Sequence, residues 1–224
     1  MKKLSQLVDL DDPCWPLLQE DLRLATNTVE CLAASDPQRA EALVQLQVTT
    51  RSPMGALVYE TGGLLVDHGW LRILGSGHER LPRSLPAWNL GRTWEDPTVQ
   101  PPLLLVADDV LGGLFALNGG AFPGKPGNSL YFDPASLGWR DLDVGYSEFL
   151  AWAFNGELES FYGDHRWPGW ESEVEAVSGG QALSVYPFLV ADGPPIAERA
   201  RSTVPIGELY DLHMEMARQL GDGR

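Results

Sequence analysis

The chain has 224 residues, of which 44% are hydrophobic and 21% charged, so we expect one packed globular domain and not a disordered chain. Sixteen Lys and Arg against 31 Asp and Glu give a net charge of −15, which argues against binding to nucleic acid or to an anionic membrane surface. No apolar run approaches the roughly 20 residues that a membrane-spanning helix needs. The acidic balance favours basic partners or cations instead.

The first residues include two lysines but no apolar stretch, so we expect no secretory signal and a cytoplasmic protein. Cys14 and Cys31 lie 17 residues apart without a CxxC spacing, which fits reduced thiols and not a disulfide framework. Both cysteines are predicted to lie in a helical N-terminal region. Behind it, the spacing of apolar residues predicts a short amphipathic helix over about 36–47.

Short β-prone runs separated by glycine turns predict an antiparallel meander in the middle of the chain. The predicted strands are 54–61, 64–67, 70–74, 103–107, 110–117, 128–133 and 139–142. The strand at 103–107 is continuously apolar, so we expect it to be buried on both faces. Residues 76–102 are rich in proline and lack periodicity, which predicts a long ordered loop or an insertion.

Two further helices are predicted in the second half of the chain. The stronger one covers 146–162, where an apolar stripe runs along one side and the glutamates fall largely off it. The other starts at Pro205, after a β-prone stretch at 182–190 and a linker-like segment at 192–203. A helix, several antiparallel strands and further helices define the α+β class.

No motif for chemistry stands out, because GxSxG, HExxH, GKS and GKT are all missing from the sequence. We therefore assign no catalytic residues, no cofactor and no metal ligands. Asp67, His68 and His78, with Asp108 and Asp109, have the residue types of a metal site, but a β-turn at Asp67-His68 explains that pair better. The adjacent acids Asp108 and Asp109 are predicted to accept backbone hydrogen bonds at a strand turn. A catalytic cysteine paired with a distant histidine stays open.

Residues 141–175 contain nine acidic residues and one base, Arg166. They form either a solvated acidic face or a docking surface for a basic partner. Four tryptophans lie in loops rich in proline and glycine, where they either pack onto the core or act as interface hot spots. The predicted partner-binding residues are Trp88, Trp94, Glu157, Glu159, Asp164, Trp167, Trp170 and Glu171.

Residues 103–162 resemble the second half of the SUKH superfamily. In that superfamily a strand ending in Asp, a glycine-bearing strand and a YFDP hairpin are followed by a helix with the pattern seFL.W. The matching residues here are Asp108, Gly112, Gly113, Tyr131, Phe132, Asp133, Trp139, Phe149, Leu150 and Trp152. The whole chain, including YETGGLLVDHGWLRILGSGH and RWPGWE, also resembles a bacterial family catalogued as a domain of unknown function.

The resemblance implies a SUKH-like antiparallel β-sheet flanked by helices. It implies a single domain over 1–224, with a core of about 40–162 and a C-terminal helical extension over 163–224. Many SUKH proteins are immunity proteins that bind and neutralise polymorphic toxins, often nucleases, and they offer no catalytic residues to transfer.

The leading hypothesis is a non-enzymatic, acidic protein-binding module, with an immunity-type role against a basic protein. The alternative is an enzyme or a small-ligand or metal-binding protein, with a site under the 76–102 loop that uses Asp67, His68 and His78. A third hypothesis is a homo-oligomer whose tryptophans serve self-association.

Overall fold

The computed structural model of the protein describes residues 1–221. Within them it has an α+β architecture built on a seven-stranded antiparallel sheet whose strands follow one another in chain order. The strands of this sheet are β1 (Val29–Ala33), β2 (Thr61–Val66), β3 (Leu71–Leu74), β4 (Leu103–Asp109), β5 (Leu114–Asn118), β6 (Ser129–Asp133) and β7 (Gly138–Asp141). A separate antiparallel hairpin consists of β8 (Gln181–Tyr186) and β9 (Ala200–Pro205).

Helices pack against the sheet and the hairpin. They are α1 (Leu4–Leu7), α2 (Trp15–Leu24), α3 (Gln38–Leu46), α4 (Pro53–Glu60), α5 (Leu85–Asn89), α6 (Tyr146–Asn155), α7 (Leu158–Tyr162), α8 (Trp170–Glu175) and α9 (Ile206–Gly221). Helices α2, α4 and α6 contact one another, and α9 contacts the hairpin. One hydrophobic core extends from Leu18 of α2 through the sheet to Leu209 of α9. The predicted α+β class and single domain are confirmed. No helix within residues 1–221 is both long and apolar enough to cross a membrane.

The central strands occupy the core. Every residue of β2 and β3 is buried, and β4 is buried except at the half-buried Leu104. Apolar runs without polar alternation are typical of strands covered on both faces, so the prediction for 103–107 is confirmed. The meander is confirmed from β2 to β7, although β5 begins only at Leu114 because residues 110–113 form a turn.

The predicted strand at 54–61 is wrong, because residues 53–60 form helix α4. Ser52 caps this helix, since its hydroxyl accepts a hydrogen bond from the Gly55 backbone at 3.1 Å, and Pro53 suits the first turn. Most of the helix is buried, so its sequence has no polar face. A short apolar run of this kind does not distinguish a strand from a buried helix.

The predicted secondary structure is also wrong at two solvent-exposed strands. Cys31 lies in β1, at the sheet edge, and not in a helical region. The linker-like segment at 192–203 includes the first part of β9, which pairs with β8. Both strands are largely exposed, so neither has the apolar alternation that would mark a half-buried strand.

The predicted helix at 146–162 is divided into α6 and α7 at Gly156. A Cβ atom at Gly156 would lie 2.3 Å from Cδ1 of Trp152, so a larger residue does not fit there. The predicted helices at about 36–47 and from Pro205 correspond to α3 and α9. The region from 163 onward is not only helical, because it also contains the β8–β9 hairpin.

Candidate functional site

A cluster of aromatic rings lies under the segment from α7 to α8. Trp70, at the start of β3, is fully buried at its centre. Its ring centroid lies 5.1 Å from that of Trp170, 5.8 Å from that of Trp167 and 5.5 Å from that of Tyr162. Edge and tilted contacts at these separations are favourable for aromatic pairs. The cluster therefore fixes the short helices α7 and α8 against the end of the sheet.

Arg166 covers this cluster. Its guanidinium lies 4.2 Å from the ring centroid of Trp170 and 4.9 Å from that of Trp70. It also forms ion pairs with Asp67 and, at 2.9 Å, with Glu159. Only 6% of its side chain is exposed. Arg166, the basic residue of the 141–175 segment, is thus neutralised by carboxylates and stacked on aromatic rings.

Asp67 reaches Arg166 from the turn between β2 and β3. Asp67 and His68 both have left-handed backbone torsions, with φ of 52° and 61°. The Trp70 amide donates to the Asp67 carbonyl at 3.0 Å. The β-turn predicted for Asp67-His68 is therefore confirmed.

Four exposed carboxylates belong to the segment that contains Arg166, and we call them the acidic face: Glu157, Glu159, Asp164 and Glu171. Glu159 is 77% exposed in spite of its ion pair with Arg166. The side chains of Glu157, Asp164 and Glu171 form no ion pair or hydrogen bond with any residue from 1 to 221. Three of the four carboxylates of the acidic face therefore present negative charge to solvent that no cation within residues 1–221 neutralises.

A polar groove of about 730 Å³ runs beside the acidic face, between the β2–β3 turn and the α6–α7 junction. Asp67, Glu157, Glu159 and Arg166 line it. A smaller depression of about 290 Å³ shares Glu159 and Arg166 with this groove and reaches Trp170 and Glu171. Arg166 thus lies where the two depressions meet.

The four loop tryptophans pack onto the core, which is one of the two alternatives that the sequence left open. Trp88, Trp94 and Trp167 are each 4% exposed, and Trp170 is 9% exposed. A partner cannot reach such side chains directly, so an exposed tryptophan surface is ruled out. Trp167 and Trp170 lie under the acidic face, where the Trp167 indole N–H donates to Glu173 at 2.8 Å.

Trp88 and Trp94 belong to other parts of the molecule. Trp88, in α5, is covered by the guanidiniums of Arg83 at 4.5 Å and Arg92 at 4.1 Å. Trp94 lies in the loop that follows, with its indole N–H bonded to the carbonyls of Asp96 and Val99. The structure therefore brings together six of the eight predicted residues and leaves these two outside the group.

The residues of the predicted metal alternative do not meet. His68 contacts Glu175, with Nδ1 2.6 Å from a carboxylate oxygen, whereas Asp67 binds Arg166. His78 accepts a hydrogen bond from the Arg80 backbone at 3.1 Å. No group of three His, Cys, Asp or Glu side chains within residues 1–221 is placed to hold a metal ion.

Cys14 does not have the environment of an activated nucleophile. Burial raises the pKa of its thiol, and the negative charges of Asp21 and Asp12 raise it further. Catalytic cysteines depend on the opposite change, a lowered pKa that populates the thiolate.

The sequence did not predict a second charged cluster, which lies inside the core. The Asp108 carboxylate forms ion pairs with Arg72 at 2.7 Å and with Arg83 at 2.6 Å. Arg72 also donates to the Gln181 carbonyl, and Arg83 donates to the Gly179 carbonyl. The side chain of Asp108 is fully buried and that of Arg72 is 2% exposed. The cluster joins β3 and β4 to the beginning of the β8–β9 hairpin.

Asp109 extends this cluster in the predicted way. Its carboxylate accepts hydrogen bonds from the backbone of Leu111 at 3.0 Å and of Gly113 at 2.9 Å. The hydroxyl of Tyr131 donates to the other oxygen at 3.0 Å. Burial raises the pKa of Asp109, and these hydrogen bonds oppose that shift. Asp109 thus accepts backbone bonds at the strand turn, while Asp108 acts in ion pairs.

Sequence reasoning missed the two arginines of the buried cluster, Arg72 and Arg83. Arg72 interrupts an otherwise apolar strand, and a cation in such a position requires a buried carboxylate partner. The adjacent pair Asp108-Asp109, at the end of an apolar strand, was the available partner. That coincidence was the signal that could have revealed the buried cluster.

Fold and site together define an α+β protein with a solvated acidic face over a buried aromatic cluster. The chain belongs to the DUF2625 family, described as a protein of unknown function, since the family model matches residues 4–209. It is 44% identical over 216 residues to an uncharacterised protein, YbfG, of Escherichia coli (strain K12), covering 96% of this chain and 97% of the relative. It is 40% identical over 214 residues to an uncharacterised protein of Haemophilus influenzae (strain ATCC 51907 / DSM 11121 / KW20 / Rd), covering 95% and 94%. The predicted membership in a bacterial family of unknown function is confirmed.

Proposed function

We propose that this protein is a non-enzymatic protein-binding module whose acidic face binds a basic protein. The observation that carries the proposal is the set of exposed carboxylates around Arg166. Three of them, Glu157, Asp164 and Glu171, pair with no cation in the described part of the chain, residues 1–221. The net charge of −15 would speed the encounter with a basic partner by long-range attraction.

The aromatic residues under the acidic face favour binding. Trp70, Trp167 and Trp170 hold α7 and α8 in place, so little conformational entropy is lost when the carboxylates meet a partner. Arg166 does not repel a cation, because Asp67 and Glu159 neutralise it. The groove beside it has a volume of about 730 Å³, and Glu157 and Glu159 in its lining would attract a Lys or Arg side chain of the partner. Trp167 and Trp170 thus contribute as a support and not as contact residues.

We extend the proposal to an immunity-type role in which the basic partner is a toxin that this protein neutralises. The support is the SUKH resemblance of residues 103–162, which extend from β4 to α7 and end beside the acidic face. A SUKH-like core over about 40–162, with 163–224 as an extension, is part of the same proposal. Inhibition by masking a basic surface needs charge complementarity but no catalytic group.

A pair of charge-reversal variants tests the acidic face. One combines Glu157→Lys, Asp164→Lys and Glu171→Lys, and its matched control combines Glu41→Lys, Asp192→Lys and Glu208→Lys, which are also exposed. Each reversal adds two positive charges, so both variants have a net charge of −9 in place of −15. Any difference between them therefore reports the position of the charges and not their sum.

The measurement is affinity recovery from lysate of the native host, at low and moderate salt, with quantitative mass spectrometry. We expect one basic protein with wild type and with the control variant, and at least tenfold less with the acidic-face variant. Equal recovery by the two variants would contradict the acidic face as the binding surface. Recovery of only the tagged protein with itself would favour the homo-oligomer hypothesis.

The immunity-type role has its own test once a basic partner is recovered. The partner is expressed alone and together with wild type or with the acidic-face variant. We expect growth arrest by the partner alone, rescue by wild type and no rescue by the variant. A partner that does not harm growth would contradict the immunity-type role and leave the binding proposal intact.

A further inference from the structure

A cavity lies under part of the 76–102 loop and shares no lining residue with the groove beside the acidic face. It has a volume of about 890 Å³, and residues 94–101, which we call the strap, form one wall. The floor is the face of the sheet at Leu104 and Leu117, which are cross-strand neighbours on β4 and β5. Both are only half-buried, although their strands lie in the core. The cavity thus exposes an apolar part of the sheet.

Internal hydrogen bonds hold the strap in shape. The indole N–H of buried Trp94 donates to the carbonyls of Asp96 and Val99, both at 2.8 Å. The Asp96 carboxylate accepts from the backbone and hydroxyl of Thr98, at 2.8 and 2.6 Å. Because these polar groups are satisfied within the strap, the strap gains no hydrogen bonds by collapsing onto the sheet. The cavity is therefore a preformed feature of the fold.

The side chains that line the cavity are uncharged, although 21% of the chain is charged. Apart from the strap and the floor, the lining includes the apolar side chains of Met1, Leu46, Val48 and Met54. The lining amides of Gln47 and Asn118 are bonded to backbone groups. Gln100 is the exception, since it is exposed and its side chain makes no hydrogen bond within residues 1–221.

We propose that this cavity binds a neutral, mainly apolar small molecule with one polar group, which bonds to the Gln100 amide. Its volume lies within the range of roughly 300–1,000 Å³ that small-molecule sites have. A charged ligand would lose hydration without finding a charged side chain in the lining, which favours a neutral ligand. An apolar ligand would cover Leu104 and Leu117 and remove their exposed surface from water.

The neutral dye Nile red is the probe for this site, and its fluorescence rise is titrated against purified protein. Leu104→Lys and, separately, Leu117→Lys each place a charge on the floor, and we expect at least tenfold weaker dye binding. The matched control is Leu17→Lys with Leu24→Lys on α2, since these leucines are 69% and 56% exposed and lie outside the cavity. Circular dichroism and urea unfolding verify that each variant is folded.

A measurement on wild type keeps the test valid even if both floor variants unfold. Bound Nile red should slow hydrogen exchange at least threefold in strap residues 95–101 and leave α2 unchanged. Dye binding that disappears in the α2 control and persists in the floor variants would overturn the proposal, because a surface patch would then be the site. Absence of strap protection in wild type would overturn it as well.

Two further results test the class of ligand. The anionic dye 8-anilinonaphthalene-1-sulfonate should bind at least tenfold more weakly than Nile red, and equal affinity would contradict a neutral ligand. Sedimentation gives the mass in solution. If wild type were a dimer and Leu104→Lys a monomer, a second copy of the chain would occupy the cavity in place of a small molecule. The acidic-face variants should bind Nile red normally, so failure here leaves the proposed function untouched.

Discussion

Arg83 and Arg166 share one chemical setting, over an indole ring and beside carboxylates, but the carboxylates that they bind lie at different depths. Arg83 lies 4.5 Å from the ring centroid of Trp88 and binds Asp108, which is fully buried. Arg166 lies 4.2 Å from that of Trp170 and binds Glu159, which is 77% exposed. Both arginines form ion pairs, so an ion pair alone does not show what a charge does. A buried carboxylate serves the structure, whereas an exposed carboxylate can also be reached by a partner.

The largest expected effect concerns the buried cluster. Asp108→Ala leaves Arg72 and Arg83 in the core without the carboxylate that binds both. An unpaired buried charge is costly, so we expect the free energy of unfolding to fall by about 3–5 kcal/mol. Urea unfolding followed by circular dichroism measures this loss.

Glu171→Ala is the control for that experiment, because Glu171 is exposed on the acidic face. Its unfolding free energy should remain within about 0.5 kcal/mol of wild type. If Asp108→Ala is too unstable to purify, Asp108→Asn keeps the side-chain size and should still show a clear loss. If Asp108→Ala were as stable as wild type, the buried carboxylate would not be needed for folding, and the contrast with the exposed carboxylates would be wrong.

Arg166→Ala should have the next largest effect. The side chain is 6% exposed, and its removal uncovers Trp70 and Trp170 and leaves Asp67 without a cation. We expect a loss of about 2–3 kcal/mol in urea unfolding. Arg166→Lys keeps the charge but not the planar stack, so it should recover less than half of the loss. Full recovery by lysine would mean that the ion pairs, and not the aromatic contacts, hold Arg166.

His213 extends the comparison to a buried group without a carboxylate partner. It is 6% exposed on α9 and packs against Gly112, where a Cβ atom would lie 2.8 Å from the imidazole and φ is +85°. Burial lowers the pKa of His213 below its usual value of 6.5, so the unfolded chain binds the proton more readily. Neutral His213 contributes fully to the free energy of unfolding above pH 6.5. This contribution is lost as pH falls through the lowered pKa, because the unfolded chain takes up the proton first.

We therefore expect the free energy of unfolding to decrease as pH falls below 6.5 because of this group. His213→Gln should flatten that part of the curve of unfolding free energy against pH. The same slope in wild type and in the variant would assign the pH dependence to other groups.

Sequence patterns predicted those parts of the molecule that depend on local apolar periodicity. Helices α3 and α9 follow from such periodicity, the central strands from short apolar runs between turns, and the turn at Asp67-His68 from residue type. Helix α4 could not be predicted from periodicity, because most of the helix is buried and its sequence has no polar face. The exposed strand β9 could not be predicted either, because its main constraint is pairing with β8.

The candidate site could be predicted only in part, for a related physical reason. The density of acidic residues at 141–175 indicated the acidic face directly. However, Asp67 and Arg166 are 99 positions apart in the chain, and Arg83 and Asp108 are 25 apart. Contacts of this kind follow from the packing of whole elements, so no local spacing marks them. The strap cavity is likewise a gap between elements and has no sequence motif.

The smallest expected effect is the sharpest test of the comparison. The acidic-face variant, with Glu157, Asp164 and Glu171 changed to Lys, alters three carboxylates that form no ion pair among the residues that the structure describes. Surface charges without partners contribute little to folding, so its unfolding free energy should stay within about 0.5 kcal/mol of wild type. The matched control variant should behave in the same way. A loss above about 2 kcal/mol in the acidic-face variant alone would show that these carboxylates support the fold. Unchanged stability together with lost partner recovery would show the reverse, that the chain keeps its internal charges for folding and its outer ones for binding.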